Sequence, residues 1–134
     1  MTFIRPKPNP TAISEEYWRA AREREFKIQQ CASCGTHMHY ARYNCVQCGS
    51  EDLAWIRASG LGTVYSYTIV RRAGHPAFVD YVPYVAAIVE LDEGPRISTN
   101  IIDCNVEAVT IGMRVRVTFE EAEDGIVFPV FTPA

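Results

Sequence analysis

The stretch Cys31-Ala32-Ser33-Cys34-Gly35 decides the fold, and its pattern recurs further along the chain in Cys45-Val46-Gln47-Cys48-Gly49. In each copy, two residues separate the cysteines, and the glycine that follows tolerates the positive φ that such a metal-binding turn, or knuckle, needs. Two knuckles supply four thiolates, which form the tetrahedral shell that Zn²⁺ prefers in structural sites. The sequence therefore predicts a structural metal site formed by Cys31, Cys34, Cys45 and Cys48.

Other readings of these four cysteines are weaker. Two disulfides would suit a secreted chain better, and a thioredoxin-like dithiol needs a βαβ setting that the flanking residues do not offer. Iron stays open beside zinc, because a rubredoxin site differs from a zinc ribbon in its metal more than in its ligands. Four thiolates already complete the shell, so we expect His37 and His39 to be solvated or hydrogen-bonded surface residues.

The composition indicates a globular protein with room for one ordinary domain or two small ones. The chain has 134 residues, of which 48% are hydrophobic and 22% charged. Residues 2–9 do not resemble a signal peptide, and no segment has the roughly 20 apolar residues of a membrane span. Together with four clustered thiols, this favours a cytoplasmic protein. We expect Cys104, at the end of an apolar strand, to be a buried filler.

Charge is distributed unevenly along the chain. Residues 1–48 hold seven Lys/Arg and four Glu, a balance of +3, whereas residues 49–134 hold six Arg and twelve Asp/Glu, a balance of −6. An acidic C-terminal half is a poor partner for nucleic acid, whose affinity for proteins comes largely from neutralised phosphates. The asymmetry suggests two different surfaces and argues against nucleic-acid binding.

The N-terminal residues predict an arm and a short helix. Residues 1–11 are proline-rich and polar, which is typical of an extended arm. Ser14 is a candidate N-cap for a helix that runs to about Glu25, with acidic residues in its first turn. The apolar stripe of this helix consists of Ile13, Tyr17, Ala20 and Ala21. So short a helix must dock, either on its own domain or on another subunit.

The rest of the chain alternates in the manner of β-strands. Phe26–Gln30 leads into the first knuckle, and Leu53–Ile56 leaves the second. Five further strands are predicted at Thr63–Val70, Tyr84–Leu91, Arg96–Ile102, Arg114–Glu120 and Ile126–Phe131, with a connector at Asn105–Thr110 and an acidic turn at 121–125. Gly60 and Gly62 suit a bend or bulge at the start of the first of these five strands. This is the strand count of a small OB-type barrel.

The prediction is thus a mainly β protein, in which an N-terminal helix and a rubredoxin-like zinc ribbon precede a five-stranded OB-fold barrel. Its parts would be an arm and helix over residues 1–25, the ribbon over residues 26–57 and the barrel over residues 58–134. Because metal binding and folding are coupled in zinc ribbons, loss of one cysteine should unfold residues 26–57.

Several motifs in this order resemble those of a known family. They are Phe26-x-x-Gln29-x-Cys31-x-x-Cys34-Gly35, Cys45-x-x-Cys48-Gly49-Ser50, Ser59-Gly60-x-Gly62-Thr63-Val64-Tyr65-Ser66-Tyr67-Thr68, Pro83-Tyr84-x-x-Ala87-x-Val89-Glu90-Leu91-Asp92-Glu93-Gly94 and Ile111-Gly112-Met113-x-Val115-x-Val117. The chain resembles the acyl-CoA-associated proteins that join a rubredoxin-like zinc ribbon to an OB fold, formerly a domain of unknown function.

The resemblance implies an accessory subunit rather than an independent catalyst. Members of the family pair with thiolase-like or sterol-carrier-type thiolase proteins, including acyltransferases and retro-aldolases of side-chain degradation, and some are fused to hydratase subunits. For this chain it implies a ribbon and helix that dock on the partner and a barrel that borders the acyl-CoA path. A dimeric partner would suggest a heterotetramer with two copies of each chain.

One loop offers residues that suit a CoA ligand. Arg71 and Arg72 stand beside Gly74 and His75, and paired arginines bind phosphate through charge-assisted hydrogen bonds. The alternative for this loop is an exposed basic segment, or an ion pair across a subunit interface. No catalytic motif is recognisable in the sequence.

Two other functions are alternatives to the accessory role. A nucleic-acid-binding ribbon and barrel could stack bases on Tyr65, Tyr67 and Phe78. A small independent acyl-CoA enzyme would use His75 and Cys104.

Overall fold

The computed structural model describes residues 7–122 and 125–134. Residues 1–6 of the predicted arm and residues 123–124 of the predicted acidic turn lie outside the described residues. Within the described ranges, no helix combines the length and the apolar character that crossing a membrane requires.

One helix and eight strands follow one another along the chain. They are α1 (Glu15–Arg22), β1 (Lys27–Cys31), β2 (His37–Met38), β3 (Leu53–Arg57), β4 (Leu61–Val70), β5 (Tyr84–Leu91), β6 (Arg96–Ile101), β7 (Arg114–Glu121) and β8 (Val127–Pro133). Two short 3-10 turns, Pro76–Phe78 and Val106–Ala108, lie in the connections β4–β5 and β6–β7.

Helix α1 forms because its charges oppose the helix dipole and its small face packs inward. Glu15 and Glu16 lie in the first turn, Arg19 and Arg22 lie in the last turn, and acidic residues at the start with basic ones at the end are the favourable order. The hydrogen bonds from Arg19 and Lys27 lower the pKa of Glu16 to about 2. Ala20 and Ala21 are fully buried, and α1 packs against β1 and β8. Of the two docking alternatives, the helix therefore docks on its own chain.

The two ends of α1 differ from the prediction. Ser14 occupies the N-cap position but makes no capping hydrogen bond, because its Oγ instead accepts from the Thr11 N–H at 2.9 Å. The helix ends at Arg22 because Arg24 adopts a left-handed φ of 61°. The Arg24 N–H then bonds to the Ala21 carbonyl and the Glu25 N–H bonds to the Ala20 carbonyl, the pattern of a Schellman C-cap.

The ribbon is a three-stranded antiparallel sheet in the order β2-β1-β3. Gln29 lies opposite Met38 on one side and opposite Trp55 on the other, so β1 is the central strand. Each knuckle is a loop at the edge of this sheet, one between β1 and β2 and the other before β3.

The remaining strands close a barrel in the order β4-β5-β6-β8-β7, with β7 pairing back onto β4. The pairs are antiparallel except β6–β8, where Ile101 meets Phe131 in parallel. This is the five-stranded OB arrangement, so the predicted fold class is confirmed. The bulge in β4 falls between Val64 and Ser66 rather than at Gly60 or Gly62. Gly62 serves instead for close packing, since a Cβ there would lie 2.7 Å from the Glu90 carbonyl oxygen.

The turn after β5 is fixed by its two carboxylates. Asp92 accepts a bidentate pair of hydrogen bonds from Arg114 at 2.8 and 2.9 Å, which ties the turn to β7. Glu93 accepts from the Ser59 N–H at 2.6 Å, which ties it to the segment that enters the barrel. The motif Leu91-Asp92-Glu93-Gly94 therefore has a structural role.

One hydrophobic core continues from the ribbon into the barrel. Phe26 and Ile28 from the ribbon join a buried cluster whose other members come from residues 58–131. A second, smaller cluster consists of Cys31, Cys45 and Met38, with Leu53 packed against it. Two of the four metal-binding cysteines, Cys31 and Cys45, thus lie in a small core that is separate from the main one.

Candidate metal centre and docking surface

The four knuckle cysteines converge on one point. All four Sγ atoms lie within 4.8 Å of one another, with Cys31 and Cys48 3.6 Å apart and Cys34 and Cys45 3.5 Å apart. A Zn–S bond of about 2.3 Å in tetrahedral geometry needs sulfur–sulfur separations of about 3.8 Å. The donor set and its spacing therefore fit a four-thiolate metal ion.

Matching backbone hydrogen bonds build the two knuckles. The Gly35 N–H bonds to the Cys31 carbonyl at 2.8 Å, and the Gly49 N–H bonds to the Cys45 carbonyl at 3.0 Å. Both glycines have a φ of 79°, which explains why glycine closes each knuckle. Among the sulfurs, those of Cys31 and Cys45 face inward, whereas Cys34 and Cys48 are exposed.

The knuckle backbone favours the thiolate form of Cys31 and Cys45. The N–H groups of Cys48 and Gln47 lower the pKa of Cys45 to about 6, and the Cys34 and Ser33 N–H groups lower the pKa of Cys31. Cys48 differs: the Ser50 N–H lowers its pKa, but the sulfurs of Cys31 and Cys34 outweigh this effect and raise the pKa overall. Because the thiolate is the form that binds metal, the backbone prepares the site for a cation.

Gln29 has a role that sequence reasoning missed. It is the buried polar residue of the core, with 3% of its surface exposed. Its amide donates to the Arg42 carbonyl at 3.0 Å and accepts from the Arg42 N–H at 2.8 Å, as a neighbouring strand would. The side chain thus fixes the segment between the knuckles. The position of Gln29 in the motif before Cys31 indicates that this residue matters. The sequence does not show, however, which group its side chain contacts.

The prediction that His39 is a solvated or hydrogen-bonded surface residue is wrong. Its ring packs against Tyr17, Phe26 and Tyr40, and burial lowers its pKa to about 4. Its Nδ1 is buried and has no hydrogen-bond partner among the described residues. Tyr17 comes from α1 and Phe26 immediately precedes β1, so the surroundings of His39 depend on tertiary packing. His37 pairs with Gln30 in the ribbon sheet.

The two arginines of the loop proposed to bind CoA have different surroundings. Arg71 forms an ion pair with Glu107, while Arg72 is exposed and has no ion-pair partner within the described ranges. The Nδ1 atom of His75 accepts a hydrogen bond from the Ala77 N–H at 3.0 Å, which caps the 3-10 turn. Of the three predicted contacts, Arg72 is thus the one whose side chain has no partner within the part of the chain that the structure describes.

Cys104 is partly buried against the main core, as expected of a filler. Burial raises the pKa of its thiol, which disfavours the nucleophilic thiolate. No hydrogen bond joins Cys104 to His75 in the part of the chain that the structure describes.

Three residues of the segment that follows β2 expose large apolar side chains. They are Tyr40, Tyr43 and Val46, and Tyr43 is 72% exposed. We call these three residues the ribbon patch. They lie within seven consecutive positions, and Val46 is inside the second knuckle. Exposed apolar patches mark interaction sites, so this segment is a candidate for docking.

The fold and the four-cysteine site together define a zinc ribbon joined to an OB barrel. Two family models match the chain: the ChsH2 rubredoxin-like zinc ribbon domain over residues 18–54 and the ChsH2 C-terminal OB-fold domain over residues 55–120. The chain belongs to this ChsH2, or DUF35, family.

Curated relatives carry names of subunits or scaffolds. A probable enoyl-CoA hydratase alpha subunit of Thermomonospora curvata is 40% identical over 98% of this chain and 40% of its own length. A DUF35 domain-containing scaffold protein of Methanocaldococcus jannaschii is 40% identical over 82% of each chain. This chain therefore spans about two fifths of the hydratase subunit but most of the archaeal scaffold.

Solved structures agree with the fold. A chain of the Ltp2-ChsH2(DUF35) aldolase superposes with a TM-score of 0.85 at 38% identity, covering 95% of this chain and 98% of that one. A DUF35-family protein of unknown function from Sulfolobus solfataricus superposes with a TM-score of 0.64 at 13% identity, which supports the fold alone.

Proposed function

We propose that this protein is a non-catalytic accessory subunit that binds and completes a thiolase-like acyl-CoA enzyme. The partner would be a thiolase, acyltransferase or retro-aldolase of lipid or steroid side-chain degradation. The observation that carries the proposal is the likeness, over 95% of this chain, to a chain of the Ltp2-ChsH2(DUF35) aldolase. The subunit and scaffold names of the relatives support a role in a complex of two proteins.

The ribbon patch is the surface that we propose to dock on the partner. Tyr40, Tyr43 and Val46 would be covered in the complex, and tyrosine is among the residues enriched at protein interfaces. Arg42 is exposed between the two tyrosines, and the ribbon half of the chain is basic, so an acidic partner surface would be complementary.

The barrel would border the acyl-CoA path through the loop at Arg71–Pro76. The guanidinium of Arg72, which is exposed and has no ion-pair partner among the described residues, is the strongest candidate for a CoA phosphate. Arg71 would contact CoA only if its ion pair with Glu107 opened, and His75 would do so through its Nε2, since Nδ1 caps the turn.

We propose that Cys31, Cys34, Cys45 and Cys48 hold a structural Zn²⁺ rather than iron. A four-thiolate zinc contributes folding free energy and leaves no coordination position for a substrate. Metal analysis together with visible absorption separates the two metals, because ferric thiolate sites are coloured and zinc sites are not.

Two observations disfavour the alternatives. For nucleic acid, the Arg96 guanidinium lies 3.8 Å from the ring centre of Tyr65, and Tyr67 packs against the core, so neither tyrosine presents both ring faces to stacked bases. For an independent enzyme, His75 and Cys104 lack the contact that an activated nucleophile needs.

Co-purification tests the proposal. The chain is expressed with the thiolase-like protein encoded beside it, and the mixture is separated on a sizing column with light scattering and metal analysis. We expect one co-eluting complex, with the mass of a heterotetramer and about one zinc per copy of this chain. Separate elution of the two folded proteins would contradict the proposal.

Matched variants locate the docking surface. Tyr43→Asp places a charge in the ribbon patch, whereas Ile111→Asp does so at a barrel turn with 70% exposure, close to the 72% of Tyr43. We expect only the Tyr43 variant to weaken the complex, by roughly ten-fold or more, because a charge is desolvated at the interface core. Equal effects of both variants would remove the ribbon patch as the docking site.

A further inference from the structure

The ribbon sheet has an open edge at strand β3. In the order β2-β1-β3, this strand pairs with β1, and no other described strand lies on its far side. At one end of the pair, the Ala58 N–H bonds to the Phe26 carbonyl at 2.8 Å. At the other end, the Ala32 N–H bonds to the Asp52 carbonyl at 2.8 Å. Bonded pairs alternate along an antiparallel ladder, so the even-numbered residues of β3 bond to β1 and the odd-numbered ones face outward.

Most backbone groups at this edge have no partner. The outward-facing residues are Leu53, Trp55 and Arg57. The Leu53 N–H bonds to the Glu51 carbonyl at 3.0 Å. The Leu53 carbonyl and both backbone groups of Trp55 and Arg57 make no hydrogen bond within the part of the chain that the structure describes. An edge with unpaired N–H and carbonyl groups is a template for another strand.

The free backbone groups are arranged symmetrically about Trp55. Two copies of β3 can align antiparallel with Trp55 at the two-fold axis, where the two Trp55 residues exchange a pair of N–H to carbonyl bonds. On either side of the axis, the Arg57 N–H of one copy meets the Leu53 carbonyl of the other. The Leu53 N–H, which is already bonded within its own chain, is not needed. Two pairs of backbone hydrogen bonds would therefore form without any change in the pairing with β1.

The charges beside the edge complement one another in the same alignment. Glu51 precedes β3 and Arg57 ends it, both are exposed, and neither forms an ion pair among the described residues. Because Arg57 would lie opposite Leu53 of the second copy, Glu51 of that copy becomes its diagonal neighbour. Two-fold symmetry forms this contact twice. The half-buried Trp55 rings would also pair across the axis, and cross-strand aromatic pairs are favourable.

We propose that two copies of this chain associate through β3, which joins their three-stranded ribbon sheets into one continuous antiparallel sheet. A strand of another protein could accept the same backbone bonds, but a second copy supplies both charges at the matching positions. The interface is small, so the association is weak and depends on concentration. The inference goes beyond the proposed function and does not require the partner enzyme.

Amide hydrogen exchange tests the pairing residue by residue. The full metal-loaded chain is measured by NMR at about 50 µM and at about 1 mM, a range that suits a weak interface. We expect the Trp55 and Arg57 amides to exchange at least roughly three-fold more slowly at the higher concentration, because pairing protects them. The Ala54 and Ile56 amides, which face β1, should be protected at both concentrations. Exchange of Trp55 and Arg57 that does not depend on concentration would overturn the proposal.

A charge exchange distinguishes a second copy from any other occupant of the edge. Arg57→Glu and Glu51→Arg each place like charges at the contact, so each should weaken self-association by roughly ten-fold in light scattering. The double variant restores opposite charges between copies and should associate as the wild type does. Arg116→Glu reverses an exposed charge on β7 and should have no effect. A double variant as weak as the single ones would contradict the alignment.

Two further measurements complete the test. Metal content shows that each variant keeps a folded ribbon, so that weaker association is not the result of unfolding. The exchange experiment is then repeated with the partner enzyme added to the chain at the lower concentration. Protection of Trp55 and Arg57 that needs the partner would assign the edge to a strand of that protein and overturn the proposal, while the accessory function would stand.

Discussion

The ring of Phe26 stands edge-to-face against the ring of Phe131, with 6.1 Å between ring centres and planes at 87°. Phe26 immediately precedes the first ribbon strand, and Phe131 lies in the last barrel strand. Both are buried in the same cluster, so the ribbon and the barrel share a core. Damage to the ribbon should therefore reach beyond residue 57, where the sequence predicts that the ribbon ends.

Loss of one metal ligand tests this coupling. In Cys48→Ser, we expect metal content to fall well below about one ion per chain and the main thermal transition to shift down, because metal binding contributes folding free energy. Metal analysis and calorimetry measure the two effects. NMR should show changed signals for the buried barrel residues as well as the ribbon.

Cys104→Ser is the matched control. Cys104 is partly buried and belongs to no metal-binding cluster among the described residues, so its serine variant should keep the metal. If Cys48→Ser kept its metal and its stability, the four-thiolate site would be wrong. If only the ribbon signals changed, the shared core would not couple the two parts.

Removal of the Gln29 amide should destabilise the protein more than the loss of a single exposed polar side chain does. Gln29→Leu removes both hydrogen bonds to the Arg42 backbone, and each such bond contributes about 0.5–1.5 kcal/mol. We expect a loss of about 1–3 kcal/mol in the free energy of unfolding, measured with urea. Gln30→Leu, next along the strand with one exposed hydrogen bond, should cost less than about 1 kcal/mol. Equal losses would contradict the special role of Gln29.

Burial of His39 predicts a loss of stability in acid. Its folded-state pKa of about 4 lies below the ordinary value of 6.5, so the unfolded chain takes up the proton first as pH falls. The stabilisation is complete above about pH 6.5 and is lost as pH falls toward 4. Between pH 7 and pH 5, the wild type should lose about 2 kcal/mol more than His39→Phe. An identical pH dependence in the two proteins would mean that His39 titrates normally.

Arg72 should affect the substrate and not the fold. Because Arg72 is exposed and unpaired within the described residues, Arg72→Ala should change the free energy of unfolding by less than about 0.5 kcal/mol. In the complex we expect the KM for acyl-CoA to rise by roughly three- to ten-fold, more at low salt, because a charge-assisted contact is lost. Arg57→Ala, which removes an exposed arginine of the ribbon, is the control. An unchanged KM would remove Arg72 from the CoA path.

The sequence predicted most of the fold because each part carries a local signal. The spacing of cysteine and glycine predicts the knuckles. Alternating β-branched residues between turn residues predict the five barrel strands. The end of α1 was missed because Arg24 adopts a positive φ, a conformation that glycine would have signalled. The bulge at Tyr65 likewise has no glycine to mark it.

The sequence predicts only those parts of the site whose residues are close together in the chain. The metal-binding cysteines lie in two short motifs, so their spacing reveals them. The surroundings of His39 bring together α1 and the ribbon, and only tertiary packing determines that the ring is half-buried. The pairing of Arg71 with Glu107, which leaves Arg72 as the uncommitted charge, also joins loops that are distant in the chain.

Reconstitution of turnover tests the central claim most directly. The purified thiolase-like partner, this chain and their mixture are each incubated with a panel of acyl-CoA esters, and products are followed by mass spectrometry. We predict no turnover by this chain, little by the partner alone, and a rise in the mixture that the Tyr43→Asp variant fails to produce. Turnover by this chain alone, or a mixture no more active than the partner, would contradict the accessory role.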